Sequence, residues 1–345
     1  MNILVTGGTG YIGSHTAVEL INKGHHPILI DNLSNSHEEV VKYIEQITGK
    51  AVDFFNVDLC DRTAVFNLLK TLQVDAVIHF AAFKSVSESV LDPLKYYRNN
   101  IDSLINLLDA LVTHKINRLV FSSSCTVYGE ASLMPVRETD PFGPASSPYG
   151  ATKQIGEQLI KDATAAYGLN SICLRYFNPA GAHSSALIGE YPLQSPTNLV
   201  PVITRNAIKK SNKLTVFGTD YHTPDGTCIR DYIHVVDLAK AHVCAIERMF
   251  SDKVRSMHEV FNVGTGKGHS VLDVIHAFRR STTMELEYTI GPRRPGDIEQ
   301  IWAATGLTEQ ELNWKAQCSL DEIVSSAWKW EQQLQQQLIK KADAS

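Results

Sequence analysis

The sequence predicts an α/β fold: a doubly wound parallel sheet followed by a smaller C-terminal α/β substrate domain. Three observations predict it. Short apolar runs alternate with amphipathic stretches as far as residue 176, the signature of parallel strands joined by crossover helices. The first run opens directly into a glycine-rich turn, Thr6-Gly7-Gly8-Thr9-Gly10-Tyr11-Ile12-Gly13. The regular alternation then stops near residue 180 and gives way to an irregular segment and shorter elements.

The chain has 345 residues, enough for one large domain or two modest ones. The predicted division is 1–178 for dinucleotide binding and 179–345 mainly for the substrate, with core elements returning from the second part to the first. Hydrophobic residues make up 43% and charged residues 20%, an ordinary globular balance. A net charge of −5 without a basic block argues against nucleic acid as a partner. No apolar segment reaches the roughly 18 residues that a membrane helix needs, and the N-terminus lacks the charged and apolar regions of a signal peptide. The six cysteines are scattered, with no C-x-x-C, so reduced thiols in a cytoplasmic protein are expected and no metal site is predicted.

Residues 2–6 read as a buried strand, and Ser14 to Lys23 as a helix stopped by Gly24. Strand, glycine turn and helix form the context of a dinucleotide fingerprint. Gly7, Gly10 and Gly13 permit close backbone approach to a pyrophosphate, and the helix start offers it free N–H groups. The next strand, Pro27–Ile30, ends at Asp31, about 20 residues beyond the turn, where an acid accepts hydrogen bonds from ribose hydroxyls and repels a 2′-phosphate. NAD is therefore favoured over NADP. A third strand over 51–57 ends at Asp58, either an adenine contact or a strand-end cap. Ala76–Ala82 is a fourth strand, with Lys84 beyond it on the ligand-binding edge. His79, inside that apolar run, reads as a satisfied core histidine. A helix is expected from Asp92-Pro93 to His114, with its apolar stripe on Tyr97, Ile101, Leu104, Ile105, Leu108, Leu111 and Val112. Asn99 and Asn100 are either a buried pair near the cofactor or a solvated one.

A fifth strand, Arg118–Ser122, runs into Ser122-Ser123-Ser124, which place hydroxyls at the ligand edge. A loop over 135–148 leads to Pro148-Tyr149-Gly150-Ala151-Thr152-Lys153. Tyr149 and Lys153 are four residues apart at the start of a helix, so they share one face. A free phenol titrates at about 10. An adjacent cation lowers that value, and bringing it to neutrality takes roughly 4 kcal/mol, which one lysine and a positively charged cofactor ring can supply together. The spacing of Ile155, Leu159, Ala163 and Tyr167 predicts the apolar face of this helix. Ser171–Tyr176 is a sixth strand. Beyond it come an irregular loop over 182–198, a helix from Asn198 to about Lys210, a strand over Leu214–Gly218, helices from Val236 and Ser270, and a terminal helix near Trp330. Arg230, Arg293 and Arg294 are candidate diphosphate ligands or plain surface arginines.

Together these segments resemble the extended short-chain dehydrogenase/reductase family, of Rossmann type, and within it the UDP-galactose (UDP-glucose) 4-epimerases. The likeness runs from Thr6 to about Trp330. It rests on T-G-G-T-G-Y-I-G-S-H at 6–15, D-N-L-S-N-S at 31–36, F-S-S-S-C-T-V-Y-G at 121–129 and S-P-Y-G-x-T-K at 147–153. R-Y-F-N-P-A-G-A-H at 175–183, D-G-T-C-I-R-D-Y-I-H-V at 225–235, N-V-G-T-G-x-G-x-S-V at 262–271 and P-R-R-P-G-D at 292–297 complete it. The resemblance implies an NAD-dependent enzyme that reversibly inverts C4 of UDP-galactose and UDP-glucose through a 4-keto sugar and transient NADH. It implies Tyr149 as the base, Lys153 as its modulator and Ser124 as a partner of the 4-oxygen. Gly7, Gly10, Tyr11, Ile12, Gly13, Asp31, Asn32, Asp58, Phe80, Lys84, Asn99, Ser122, Tyr176 and Phe177 would line the cofactor site. Asn178, Asn198, Leu199, Phe217, Arg230, Val271, Arg294, Asp297 and Ile301 would receive the nucleotide sugar. A homodimer, with the helices near 93–114 and 150–167 at its interface, is implied as well.

One position departs from the family pattern. Ile301 stands where a bulky tyrosine is frequent, so acceptance of UDP-N-acetylhexosamines is open and weak activity on them is expected. Cys125-Thr126 stand where a 4,6-dehydratase carries an acidic pair, which argues against elimination chemistry. A UDP-uronate 4-epimerase is a further alternative. A catalytically silent NAD(H)-sensing module is the non-enzyme alternative, and the Tyr149–Lys153 pair argues against it.

Overall fold

The computed structural model describes residues 1–193, 196–209, 214–294 and 296–343, with side chains as far as 339. Its centre is a seven-stranded parallel sheet. Six strands are β1 (Asn2–Thr6), β2 (His26–Asp31), β3 (Asp53–Asn56), β4 (Ala76–His79), β5 (Arg118–Ser124) and β6 (Asn170–Tyr176), and the seventh is His258–Val263. From one edge the order is His258–Val263, β6, β5, β4, β1, β2, β3. The chain thus winds outward from β1 and then returns to wind the other way from β4. Where the order reverses, the crossover segments leave a crevice at the C-terminal strand ends, and ligands of such sheets bind there.

Alternation of side chains along each strand builds a core on both faces. Ile3 and Val5 of β1, with Ala76 and Ile78 of β4, pack against the helices Tyr11–Asn22 and Val235–Met249. Leu4 and Val77 point the other way, onto Arg62–Thr71, Ser103–His114 and Pro148–Tyr167. A second cluster, including Val200, Ile203, Val274, Phe278 and Ile323, forms the core of the C-terminal part. Short strands there join the two parts: Tyr232–His234 pairs with Asn178–Ala180, and Ile229–Arg230 pairs with both His269–Ser270 and Gln300–Ile301. Asp231 fastens this junction from the inside. Its buried carboxylate accepts from Thr265 N (2.8 Å), Thr265 Oγ1 (2.6 Å), Gly266 N (3.0 Å) and Ala303 N (3.2 Å).

Several boundaries differ from expectation. The first helix begins at Tyr11, inside the glycine turn, not at Ser14. β5 continues through Ser124, two residues past the expected end at Ser122, so all three serines are buried strand residues. The expected helix from 93 to 114 contains a widened π-type turn at Arg98–Asp102. Its stripe is only partly right: Leu104, Leu108 and Leu111 are buried, whereas Ile105 and Val112 face outward. The terminal helix starts at Leu320, ten residues before Trp330, which is buried within it. Lys210, the expected end of the helix Leu199–Lys209, lies outside the described residues, as does Pro295.

The helix Pro148–Tyr167 sets the site. Ser147 caps it, its Oγ accepting from Gly150 N (3.2 Å), Pro148 occupies its first turn, and Gly168 ends it in a left-handed conformation. Its buried face includes Thr152, Lys153, Gly156, Glu157, Ile160, Ala163 and Thr164; of the predicted stripe, Ala163 is buried and Leu159 packs against the core, whereas Ile155 and Tyr167 are exposed. Gly156 explains the close approach. A Cβ there would lie 2.7 Å from the ring of Phe121 in β5. Without one, the helix settles onto β5 and brings Tyr149 and Lys153 to the serine strand end.

Candidate active site

The residues expected to act on, or to line the sites of, cofactor and nucleotide sugar all border one cleft of about 1300 Å³ that runs across the C-terminal ends of β1, β4 and β5 into the C-terminal part; Arg293 and Asn100 do not. That exceeds the usual volume for one drug-sized ligand, roughly 300–1,000 Å³, and leaves room for two ligands end to end.

At one end lies the glycine turn. Gly7 has φ +68° and accepts from Gly10 N at 3.1 Å, and Gly8 N donates to Ile30 O at 3.1 Å. A Cβ on Gly13 would strike the carbonyl oxygen of Gly7. Gly10 carries no side chain to cap the helix, and the first turn contains no acid, so its N–H groups face the cleft ready for an anion. Asp31 is held with its carboxylate toward the cleft by Leu33 N (2.9 Å), Ser36 Oγ (3.0 Å) and Thr9 N (3.3 Å). Asp58 accepts from Cys60 N at 2.8 Å, a strand-end turn that leaves it on the cleft wall. These residues fit a dinucleotide: an uncapped helix start, a cradle that a Cβ would fill, and an acid at the end of the next strand on the cleft wall.

Lys84 is not free beside this turn. It pairs with Glu190 at 2.7 Å, and Glu190 also accepts from Asn198 Nδ2 at 2.9 Å. His37 stacks on Tyr191 with ring centroids 4.2 Å apart. The described part of the 182–198 loop is thereby strapped to the glycine-turn side of the cleft. Of the asparagine pair, Asn100 is the buried one, bonded to Phe83 and to Thr152 Oγ1, while Asn99 lines the cleft. His79 is a core residue: its Nδ1 bonds Thr6 Oγ1 at 2.8 Å, and burial lowers its pKa to about 3.

In the middle are Ser124, Tyr149 and Lys153. Lys153 Nζ donates to Ser122 O (2.7 Å) and Ser122 Oγ (3.2 Å) and stands 5.8 Å from the Tyr149 ring centroid. Burial lowers the Lys153 ammonium to about 8, opposed by Glu157 and Cys173. Burial also pushes the Tyr149 phenol up to about 12, against the hydrogen bond with Ser124. The expected depression of the phenol by its lysine neighbour is not seen in this state. Desolvation dominates, and a further positive charge in the cleft is what the phenol lacks.

At the far end Arg230 and Arg294 line the cleft; Arg294 lies over Phe217, 5.2 Å from the ring, and pairs with Asp297 at 3.0 Å. Arg293 departs from expectation. It turns away to Asp220 (2.7 Å) and stacks on Tyr221 outside the cleft. Ile301 is buried beside Cys125 and Phe177 in an apolar wall.

A serine–tyrosine–lysine trio at a strand end, beside a phosphate-sized glycine turn, is the layout of a dinucleotide-dependent enzyme of the short-chain dehydrogenase class. The chain belongs to the NAD dependent epimerase/dehydratase family, whose model matches residues 3–264. It is 46% identical over 330 residues to a UDP-glucose 4-epimerase of Dictyostelium discoideum, covering 95% of each chain. It is 46% identical over 332 residues to one of Bacillus subtilis (strain 168), covering 96% of this chain and 97% of that relative. Among solved structures, the UDP-glucose 4-epimerase of Stenotrophomonas maltophila, with bound NAD and formylated UDP-arabinopyranose, superposes with a TM-score of 0.94 at 46% identity, covering 98% and 99% of the two chains. The enzyme from Bifidobacterium longum, in complex with NAD+ and UDP, gives 0.92 at 42% identity, covering 96% and 98%.

Proposed function

We propose that this chain reversibly inverts C4 of UDP-galactose and UDP-glucose, with NAD as its cofactor. The observation that carries the reading is the continuity of the cleft: glycine turn, Ser124–Tyr149–Lys153 and Arg230/Arg294 all line a single cavity. Near-full-length relatives that are UDP-glucose 4-epimerases support it, as do similar structures holding NAD with UDP or a UDP-sugar.

The chemistry NAD supplies when bound is an acceptor that takes the C4 hydrogen and gives it back, and a positive ring near Tyr149. The remaining work belongs to the chain. The glycine turn and the first N–H groups of the Tyr11–Asn22 helix hold the pyrophosphate. Asp31 accepts from the adenosine ribose hydroxyls, and Asp58 faces the adenine. Tyr149 receives the proton of the sugar 4-hydroxyl and returns it, while Ser124 steadies the 4-oxygen and Lys153 holds the nicotinamide ribose. Arg230 and Arg294 clamp the diphosphate of UDP. Cys125, Phe177 and Ile301 give the sugar end an apolar wall with few hydrogen-bonding partners, so the C4 ketone can turn over while UDP stays fixed. Net redox change is zero, so the enzyme has no need to release its cofactor.

The protein purified without added NAD is expected to convert UDP-galactose to UDP-glucose, followed by chromatography of the nucleotide sugars. UDP-GalNAc is expected to turn over weakly, since Ile301 leaves an intermediate space. No turnover of UDP-galactose even with NAD supplied would overturn the reading; turnover of UDP-glucuronate or UDP-GalNAc alone would move the substrate to the uronate or N-acetylhexosamine class.

The same reading divides the chain at 178/179, with the Val235–Met249 helix and the strand His258–Val263 returning to the first part. It also includes a homodimer. Leu94, Ile105, Val112 and Ile155 are exposed apolar residues on the two helices expected at its interface. Sedimentation is expected to give twice the 38.2 kDa chain mass; a monomer at micromolar concentration would remove the dimer claim. A reducing, cytoplasmic setting suits six cysteines that all stand as free thiols.

A further inference from the structure

The helix that carries Tyr149 and Lys153 carries a third polar residue on the same face, one turn further on. Glu157 is 4% exposed and lies among β5, β6 and its own helix. Its carboxylate receives one edge of the Arg175 guanidinium, Nε at 2.9 Å and Nη2 at 2.7 Å, and the Ser123 hydroxyl as well. Arg175 continues to Tyr128 OH (2.9 Å) and Glu138 O (3.1 Å), and Tyr128 OH donates to Asn262 Oδ1 (2.6 Å). Every partner is buried or half-buried. Ser123 lies between Ser122, which takes the Lys153 ammonium, and Ser124, which bonds Tyr149. A carboxylate tied to Ser123 thus fixes how the reacting helix sits on the reacting strand.

We propose that Glu157 is a positioning residue for the Tyr149–Lys153 pair: it locks the helix onto β5 through Ser123 and onto β6 through Arg175, and it places a negative charge one helical turn from Lys153 inside the core. This rests on Tyr149 and Lys153 being the acid–base pair. The charge argument follows from what surrounds Lys153. Phe121 and Ser122 of β5 give it a ring and two oxygens but no charge. β4 presents His79, neutral because burial and the lysine itself lower its pKa. β6 presents the Cys173 thiol, held far above its ordinary range by burial, and the Arg175 cation, which is neutralised by Glu157. Tyr149, on its own helix, is protonated, and Cys125 beside it is a buried thiol raised to about 12. Glu157 is the carboxylate one helical turn from Lys153, and its field opposes the burial that drives the ammonium down. Pure core packing would not need it: an ion pair this buried gains little over an apolar pair of the same shape.

Glu157→Gln keeps the shape and removes the charge, leaving Arg175 as an uncompensated cation beside Lys153. Its folded fraction is expected to retain NAD. The alkaline limb of its kcat–pH profile is expected to move down by about one pH unit, so that kcat on the alkaline side of the limb is reduced about tenfold and KM for UDP-galactose is little changed. A merely structural role would lower the thermal midpoint and leave the pH limb where it was, and that result overturns the proposal. Should this variant not fold, Glu157→Gln/Arg175→Gln leaves no unpaired guanidinium in the core and carries the same measurement. With both charges gone, the limb is still expected below that of the wild type, and an unmoved limb overturns the proposal equally. Tyr149→Phe, assayed alongside, separates the two claims. A dead Tyr149→Phe with an unmoved limb in the Glu157 variants removes only the role of Glu157; a fully active Tyr149→Phe removes the acid–base assignment beneath it.

Discussion

Tyr149→Phe is expected to lower kcat by about 10³-fold or more while the protein keeps its cofactor and its thermal midpoint. The geometry explains both halves. The phenol is buried, and its hydroxyl partner is Ser124; loss of one hydroxyl leaves the ring packing in place and removes the group that takes the proton. Nothing in the glycine turn or at Asp31 depends on it. NAD extracted from denatured variant and wild type is therefore expected in equal amount. The sign of the pH dependence follows from the same residue. Burial holds the phenol up near 12, and the base is the ionised form. Turnover by the wild type must rise with pH until the phenol is ionised, and positive charge in the cleft must bring that limb down toward neutrality. Wild-type turnover in Tyr149→Phe would transfer the base to another group.

The parts legible in the sequence were those whose signal is local. The apolar run of β1, the glycine spacing from Gly7 to Gly13, the acid at the end of β2 and the i,i+4 pair Tyr149–Lys153 each declare themselves within one element. The helix Pro148–Tyr167 shows where such reasoning fails. Its apolar residues Ile155 and Tyr167 point outward, and its buried face carries Lys153 and Glu157. Hydrophobic spacing cannot reveal a face whose polar groups are satisfied by partners on other strands, Ser122 on β5 and Arg175 on β6. The recurrence of polar residues at 149, 153 and 157 was the available clue to Glu157. Other features had no local signal. Lys84 meets Glu190 across 106 positions, and His37 meets Tyr191 across a longer span still. Arg293 and Arg294 are indistinguishable as neighbours in sequence, yet one turns to Asp220 and the other into the cleft.

Gly13→Ala is expected to remove most of the bound NAD, and here the argument is steric. A Cβ on Gly13 would strike the carbonyl oxygen of Gly7 and come within 3.0 Å of Gly7 C and Gly8 Cα. All three are backbone atoms, pinned by β1 on one side and by the bond from Gly8 N to Ile30 O on the other, so no side chain can swing aside. The turn must widen, and it widens where the pyrophosphate would lie. Overpacking of this kind costs about 1–3 kcal/mol. Borne by the cofactor cradle, that is roughly 10- to 100-fold weaker retention. Gly24→Ala is the control. It has positive φ but nothing within 4 Å of its added carbon, so it is expected to cost about 1–2 kcal/mol of stability through strain alone and leave the cofactor bound. Ultraviolet spectra of the purified variants, before and after denaturation, measure retained NAD directly. Equal retention in the two would mean that close approach at Gly13 serves only helix–strand packing, and that the pyrophosphate is held by the helix N–H groups without the cradle. Loss in Gly13→Ala alone, restored in part by excess NAD in the assay, would tie the Gly7–Gly13 contact to the cofactor rather than to the fold.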